Sequence, residues 1–265
     1  DLCAAPGGKT TDLAASLRER FGDRFSLLAN EVMRNRFGVL RSNVRTWGDP
    51  RVGVVSRDPS AFSGKPVFDI IVADVPCSGE GMFRKDEKAV EDWSPETVDF
   101  CAARSRRILS DVWSALKPGG VLLYSTCTFN RQENDGTVAW IASELGADVV
   151  DGGDFPPVVR TEHGYALLPG FVPGEGQYAA ILRKHGAPES VRTADVFSLF
   201  KADLPVPPPD PYPRFDLDRE TALRYLHGDA IRIPDAPLGL LTLTYQGHPL
   251  GPGKNLGSRC NNLYP

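Results

Sequence analysis

The chain predicts an α/β fold with a doubly wound parallel sheet, and three observations carry that expectation. Short apolar runs alternate with stretches whose apolar residues recur at helical spacing. The opening residues run into Gly7-Gly8 and then a helical pattern, the strand, glycine turn, helix order of a ligand-binding crossover. Two runs rich in Val, Ile and Leu, Phe68 to Ala73 and Val121 to Ser125, have the continuous apolar character of strands buried on both faces.

The elements follow in order. Asp1-Leu2 reads as the end of a first strand with no initiator Met ahead of it, which predicts a preceding amino-terminal segment. A helix through Leu13, Ala14 and Leu17 comes next, then a strand from Phe25 to Ala29 ending at Asn30-Glu31. A helix carrying Val32, Val39, Leu40 and Val44 leads to a third strand, Val52 to Ser56, which ends near Asp58. Beyond the strand from Phe68 to Ala73, Ser94-Pro95 predicts a helix start: Ser caps, and Pro at the first position lacks only an N–H that would be unpaired anyway. Its stripe of Val98, Cys101, Ile108, Leu109, Val112, Trp113 and Leu116 is closed by Lys117-Pro118-Gly119-Gly120. After Val121 to Ser125, a helix spans Glu133 to Leu145 and a strand Asp148 to Val150. Tyr165 to Leu168 and Gln177 to Leu182 then pair as an antiparallel hairpin at the sheet edge. These elements make a first domain of residues 1–185. Residues 186–213, with the run Pro205 to Pro213, read as a stiff connector to a small second domain, 214–265. There, a helix is expected from Asp218 to His227, closed by Gly228, and a strand from Gly239 to Tyr245.

Composition removes some functions. No apolar run is long enough for a membrane span and no export leader is visible, so the expected location is the cytoplasm. The five cysteines, Cys3, Cys77, Cys101, Cys127 and Cys260, are odd in number and lack C-x-x-C spacing, which argues for free thiols and against a zinc site. A net charge of -4 supplies no global attraction for nucleic acid, so any RNA contact must be local.

The chemistry concentrates at strand ends. Cys77 and Cys127 each follow an apolar run, and ligands of parallel sheets bind outside the carboxyl ends of the strands, so the two thiols are expected to face one pocket. A thiolate there suits a substrate carbon that is not nucleophilic by itself, as at carbon 5 of cytosine. Gly7 and Gly8 allow close backbone approach to a ligand such as S-adenosylmethionine. Glu31 is placed for ribose hydroxyls, Asp58 for the adenine side and Asp74 for an amino group. One competitor is a P-loop nucleotide hydrolase, since Gly8-Lys9-Thr10 precedes a helix and Asp74 ends an apolar strand. Against it, Cys3 stands where the first P-loop glycine belongs, and Pro6 removes a phosphate-cradling N–H.

Taken together, Asp1 to Thr10, Asp74 to Lys85 with its Pro76-Cys77 pair, and Ser125-Thr126-Cys127-Thr128-Phe129-Asn130 with Glu133-Asn134 resemble the Sun/Fmu-type (Nop-Sun) RNA cytosine-5 methyltransferases. The tail from Leu241 through Lys254-Asn255-Leu256-Gly257 to Pro265 is similar to the small PUA-like RNA-binding domain of their RsmF-like ribosomal-RNA branch. The resemblance implies a Rossmann-like methyltransferase sheet plus an α+β PUA-like domain, S-adenosylmethionine as cofactor, and RNA as partner, rRNA rather than tRNA. It implies cofactor contacts at Cys3, Ala4, Ala5, Pro6, Gly7, Gly8, Lys9, Glu31, Arg36, Asp58 and Asp74. Chemistry alone leaves open which cysteine attacks. The resemblance gives attack to Cys127 and product release to Cys77, with Asp74 assisting at the base.

Arg84 and Lys85 are candidate phosphate contacts near the target, and Lys254, Arg259 and Tyr264 candidate RNA contacts in the tail. Phe83, Trp93 and Phe129 are candidate walls for an extruded base. An inactive RNA-binding fragment is the third reading beside enzyme and P-loop hydrolase. Oligomeric state is not legible.

Overall fold

A computed structural model describes residues 1–187, 195–205 and 212–263. The chain divides into two compact units, Asp1–Pro205 and Val206–Pro265.

In the first unit, α1 (Gly8–Phe21), β1 (Leu27–Asn30), α2 (Arg34–Trp47), β2 (Val52–Val55) and β3 (Phe68–Asp74) form the first half. The second half comprises α3 (Glu87–Glu91), α4 (Pro95–Trp113), β4 (Leu116–Thr126), α5 (Asp135–Leu145), β5 (Ala147–Val149), β6 (Val159–Arg160), β7 (Tyr165–Leu167), β8 (Gln177–Lys184) and α6 (Val196–Phe200). β1 and β2 pair in parallel, as do β3 and β4. The opening residues lie between these pairs: Asn30 N–H donates to Asp1 O and Ala4 N–H to Asn30 O on one side, and Leu2 N–H donates to Val72 O on the other, each at 2.8 Å. Asp1 to Ala4 therefore stitch the two pairs into one layer, and the Cys3–Gly8 turn leaves from its carboxyl end.

α4 begins as its sequence dictates. Ser94 Oγ accepts the Thr97 N–H at 3.2 Å, Pro95 follows, and Val98, Cys101, Ala102, Ile108, Leu109 and Val112 are buried at helical spacing. Of these, Ile108, Leu109 and Val112 meet Leu116, Leu122, Tyr124 and Leu182 in one core.

Three expectations need correction. Lys117-Pro118-Gly119-Gly120 does not separate helix from strand: β4 starts at Leu116, which is wholly buried opposite Phe68, and a register shift between Phe68 and Ile70 absorbs the extra residues. The terminal hairpin is not at the edge. β8 runs antiparallel beside β4, because Tyr178, Ala180 and Leu182 alternate into the core, and the edge position falls to β6. Residues 195–205 are not connector. α6, capped by Asp195, buries Phe200 edge-on to Phe62 with centroids 4.9 Å apart, and Asp203 exchanges two backbone bonds with Val54. Residues 188–194 and 206–211 of the expected connector lie outside the described residues.

The second unit holds β9 (Arg214–Asp216), α7 (Arg219–Leu226), β10 (Gly239–Tyr245), β11 (His248–Asn255) and β12 (Cys260–Asn262), in the sheet order β12-β11-β10-β9. Asp218 caps α7 through Thr221 N–H at 2.7 Å. Leu217, Tyr225, Ile231, Leu241, Leu243 and Cys260 fill its core, so Cys260 is a packing residue.

Among the described residues no helix is long and apolar enough to cross a membrane, and no cluster of His, Cys, Asp or Glu is arranged to hold a metal. Leu122 is nearly completely buried at the centre of β4. Leu122→Ala should cost about 2–5 kcal/mol, read from urea denaturation; a cost below about 1 kcal/mol would contradict this account of the core.

Candidate active site

The turn Cys3–Gly8 closes around a cavity of about 320 Å³ whose wall includes Cys3, Ala4, Ala5, Pro6, Gly8, Lys9 and Asp74. Gly7 is required by the backbone. Its φ of +114° is left-handed territory, and a Cβ there would come within 3.2 Å of Leu40 Cδ1. Arg36 braces the same turn, donating to Ala5 O at 2.6 Å while its other nitrogen lies 3.4 Å from Glu31 Oε2. Glu31 is buried. Its Oε1 accepts the Met33 N–H at 2.9 Å, whereas Oε2 has the Arg36 ion pair but no hydrogen bond.

That oxygen fits a hydroxyl donor of a bound ribose. The cavity wall also sets the Lys9 ammonium 2.8 Å from Asp74 Oδ2, a plus and a minus side by side, which suits an amino acid head group carrying both charges. These features match S-adenosylmethionine. Asp58 follows β2 and caps the short turn there: its Oδ1 accepts from the Ser60 hydroxyl and N–H, which hold its pKa down, and its side chain is about half exposed. Neither Asp58 nor Glu31 is part of the wall of the 320 Å³ cavity itself. The P-loop reading fails on Thr10, which is buried and donates its hydroxyl to Asp1 Oδ2 at 2.6 Å, so it is turned away from any phosphate in the loop. Cys3 is inert: burial first, then the charges of Glu31 and Asp74, push its thiol up to about 12.

Asp74 ends β3 in register with Ser125 of β4. Its Oδ2 takes Lys9, and its Oδ1 takes Ser125 Oγ at 2.7 Å and Gln177 Nε2 at 2.9 Å. Beyond this pair the strands release two loops, and the cysteines converge: Cys77 Sγ and Cys127 Sγ are 3.3 Å apart, both half-buried and both free thiols. The two sulfurs lie within hydrogen-bond distance, where either thiol can donate. With Cys77 donating, the bond lowers the Cys127 pKa to about 7 against the opposing effect of burial, with Lys9 helping and Asp74 opposing. Cys77, the donor, is pushed up by that bond and by burial. Gly81 lets the loops approach, since its N–H donates to Cys127 O at 2.8 Å and a Cβ would stand 2.7 Å from that oxygen.

The surrounding aromatics are present. Phe83 and Trp93 meet edge-on at 6.4 Å, and they and Phe129 are each more than a third exposed. Arg84 and Lys85 are exposed but both reach Glu175, at 3.6 and 3.4 Å, so a phosphate would have to compete with that carboxylate. In the second unit, Lys254 on β11 and Arg259 before β12 are exposed; Tyr264 lies outside the described residues. Sequence reasoning missed Gln177, 103 residues from Asp74, and the polar residues between the loops, Glu80, Asn130 and the side-chain role of Glu133. Gln177 had no signal; Glu80 and Glu133 stood inside the two cysteine motifs.

Known proteins resemble this chain in both of its units. The family model described as 16S rRNA methyltransferase RsmB/F matches residues 1–153, and that described as Methyltransferase RsmF PUA domain matches residues 212–265. The chain is 42% identical over 193 residues to "Ribosomal RNA small subunit methyltransferase F" of Salmonella paratyphi B, covering 69% of this chain and 39% of that protein. The chain thus spans less than half the length of such curated relatives. Among solved structures, "NSun6 from Pyrococcus horikoshii with SFG" superposes with a TM-score of 0.58 at 26% identity, covering 71% of this chain and 47% of that one. A "Methyltransferase Homolog Protein from Pyrococcus horikoshii" gives a TM-score of 0.56 at 25% identity, covering 68% of this chain and 59% of that one.

Alkylation by iodoacetamide across pH should single out Cys127. Its rate rises as the thiolate forms through about pH 7 and levels off above, while Cys77 and Cys3, both raised, stay protonated. Cys77→Ala removes the donated bond and should move the midpoint upward. A midpoint unchanged in that variant would show that the sulfur contact does not set it.

Proposed function

Because the chain belongs to the 16S rRNA methyltransferase RsmB/F family, we propose that it carries the methyl-transferring site of an RNA cytosine-5 methyltransferase acting on small-subunit rRNA. The observation that carries this reading is the sulfur pair, 3.3 Å apart with Cys127 held near neutrality, beside the Lys9 and Asp74 wall of the cavity. When bound, S-adenosylmethionine supplies an electrophilic methyl group on its sulfonium.

The residues divide the remaining work. Glu31 Oε2 accepts ribose hydroxyls, Arg36 fixes both Glu31 and the glycine turn, and Lys9 with Asp74 flanks the amino acid end. Cys127 thiolate adds to carbon 6 of the cytidine, and the ring becomes an enamine with electron density at carbon 5. Asp74 serves as acceptor toward the base once the half-exposed Lys9 turns to an incoming carboxylate. After methylation the carbon 5 proton must leave, and the electron pair of that C–H bond re-forms the ring double bond and expels Cys127 as thiolate.

Cys77 suits that last step for an electrostatic reason. Its pKa is raised mainly by its bond to Cys127. Once Cys127 is bonded to carbon it is no longer an anion and that largest cause disappears, leaving burial; the half-buried Cys77 then gives its proton to solvent water, and the resulting thiolate takes the proton from carbon 5. The target cytidine reaches the sulfurs extruded from any helix, past Phe83, Trp93 and Phe129, with Arg84 and Lys85 on its phosphates. Lys254, Arg259 and Tyr264 give the PUA unit its share of the RNA contact.

Labelled methyl transfer to small ribosomal subunits tests the assignment. Cys127→Ala should abolish both methylation and covalent RNA adducts, whereas Cys77→Ala should accumulate an SDS-resistant adduct; the reverse pattern would exchange the two roles. Glu31→Gln should weaken S-adenosylmethionine binding by about tenfold or more in calorimetry, the effect of losing a hydrogen bond to a charged group. Unchanged affinity would remove Glu31 from the cofactor site.

A further inference from the structure

Two loops carry the cysteines, and backbone pairing does not hold them together. The last ladder bond is Val75 N–H to Ser125 O at 3.0 Å, and the single backbone bond beyond it that links the loops among the described residues is Gly81 N–H to Cys127 O. What lies between is the Ser78 hydroxyl, 2.8 Å from Thr128 Oγ1 and accepting from Asn130 Nδ2 at 3.2 Å, and a pair of carboxylates. Glu133, 0% exposed, reaches from the Cys127 side to the Cys77 loop: its Oε2 accepts the Ser78 N–H at 3.0 Å, and its Oε1 accepts Asn130 Nδ2 at 2.7 Å. Glu80, 9% exposed, reaches the other way: its Oε2 accepts the Phe129 N–H at 2.7 Å, and its Oε1 takes Trp93 Nε1 at 3.0 Å and Asn130 Nδ2 at 3.2 Å.

Among the described residues neither carboxylate forms an ion pair with Lys, Arg or His. Burying a charge with only neutral N–H donors around it is costly, so a purely structural link would be met more cheaply by neutral groups. A carboxylate offers what an amide cannot, two acceptor oxygens on one planar group. Glu133 uses both, on donors from opposite loops. Asn130 cannot turn over to help a replacement, because its Oδ1 already accepts the Glu133 N–H at 2.9 Å.

We propose that Glu133 is a positioning residue that fixes Cys77 against Cys127 by holding the Ser78 N–H, so that it governs product release more than attack. This rests on the cysteine roles given above. The Glu133 bond falls on the residue next to Cys77, whereas the Glu80 bond falls two residues from Cys127. The two straps therefore act on different sulfurs. Thr126 and Thr128 give the Cys127 loop further anchors through Asn134, at 2.6 and 3.0 Å, that loss of the Glu133 carboxylate leaves in place.

The Ser78 N–H reaches both Glu133 oxygens, Oε2 at 3.0 Å and Oε1 at 3.3 Å. Glu133→Gln in the full protein is the test, since glutamine keeps the shape but sets an NH2 donor where one carboxylate oxygen accepts, facing an N–H donor of the loops. It should lower kcat about tenfold or more with KM for S-adenosylmethionine unchanged, and accumulate the SDS-resistant RNA adduct expected of Cys77→Ala. Without RNA or cofactor, diamide, which takes one hydrogen from each thiol, should close a Cys77–Cys127 disulfide more slowly than in the parent. Should its melting curve show Glu133→Gln to be unfolded, Glu133→Asp, which keeps the charge but draws the carboxylate back from the Ser78 N–H, is read the same way. Parent kcat, or loss of kcat without adduct while Cys77→Ala accumulates one, overturns the assignment to Glu133. If Cys77→Ala itself gives no adduct, the cysteine roles fail and the inference falls with them.

Discussion

The parallel register of β3 and β4 is the constraint on which the site depends. Asp74 stands opposite Ser125, so three residues past the first and two past the second, at Cys77 and Cys127, the chain has left adjacent ends of two parallel strands. Neither cysteine has to be brought from a distance. The antiparallel strand β8 completes this arrangement by laying Gln177 against Asp74, so the carboxylate is fixed from three strands or turns: Lys9 from the glycine turn, Ser125 from β4 and Gln177 from β8. Asp74 is the joint between the cavity and the sulfur pair.

The sulfur pair solves a problem that a single buried cysteine has. Desolvation raises a thiol's pKa, as it does for Cys3, Cys101 and Cys260. At Cys127 the same penalty is present but is outweighed by a hydrogen bond from a neighbour that stays protonated. The cost is transferred to Cys77. Both shifts have that one contact as their largest cause, so loss of either sulfur would move the pKa of the other back toward the value that burial alone sets.

How much of this was legible in the sequence follows from which forces are local. The apolar runs, the Ser94-Pro95 start of α4 and the paired thiols could be read because periodicity, capping and strand-end placement are local properties. Strand-end placement brought out Glu31 and Asp58, while Arg36, which braces the cavity turn, came only from the family resemblance. The cap that Asp58 supplies to the short turn after β2 was not read. Lys117 to Gly120 looked like a stop signal, yet the buried Leu116 preceding it found a partner across the sheet, and tertiary pairing overrode the turn chemistry. Residues 195–205 were hidden by their proline-rich surroundings, although Phe200 and Val196 are the kind of side chains a core recruits. Strand order was beyond reach, since nothing along Gln177 to Lys184 states that its neighbour is β4.

Polar residues between the loops were the hardest to read, for a physical reason. An apolar residue reports its burial through its own chemistry, while a buried Glu reports nothing until its donors are known. Glu80 and Glu133 have opposite directions in sequence, each reaching from one cysteine loop to the backbone of the other, and Asn130 lies between them with its oxygen committed to the Glu133 N–H. Removing any one of these partners leaves a buried group unpaired, which makes the network stiff in proportion to its cost. Two thiols 3.3 Å apart call for a stiff frame, because a hydrogen bond between sulfurs is sensitive to small changes in their separation. The cavity turn is braced as well, by the backbone conformation of Gly7, by Arg36 on Ala5 O and by Asn43 Nδ2 on Pro6 O at 2.8 Å, so both halves of the site are fixed by polar side chains reaching in from neighbouring elements.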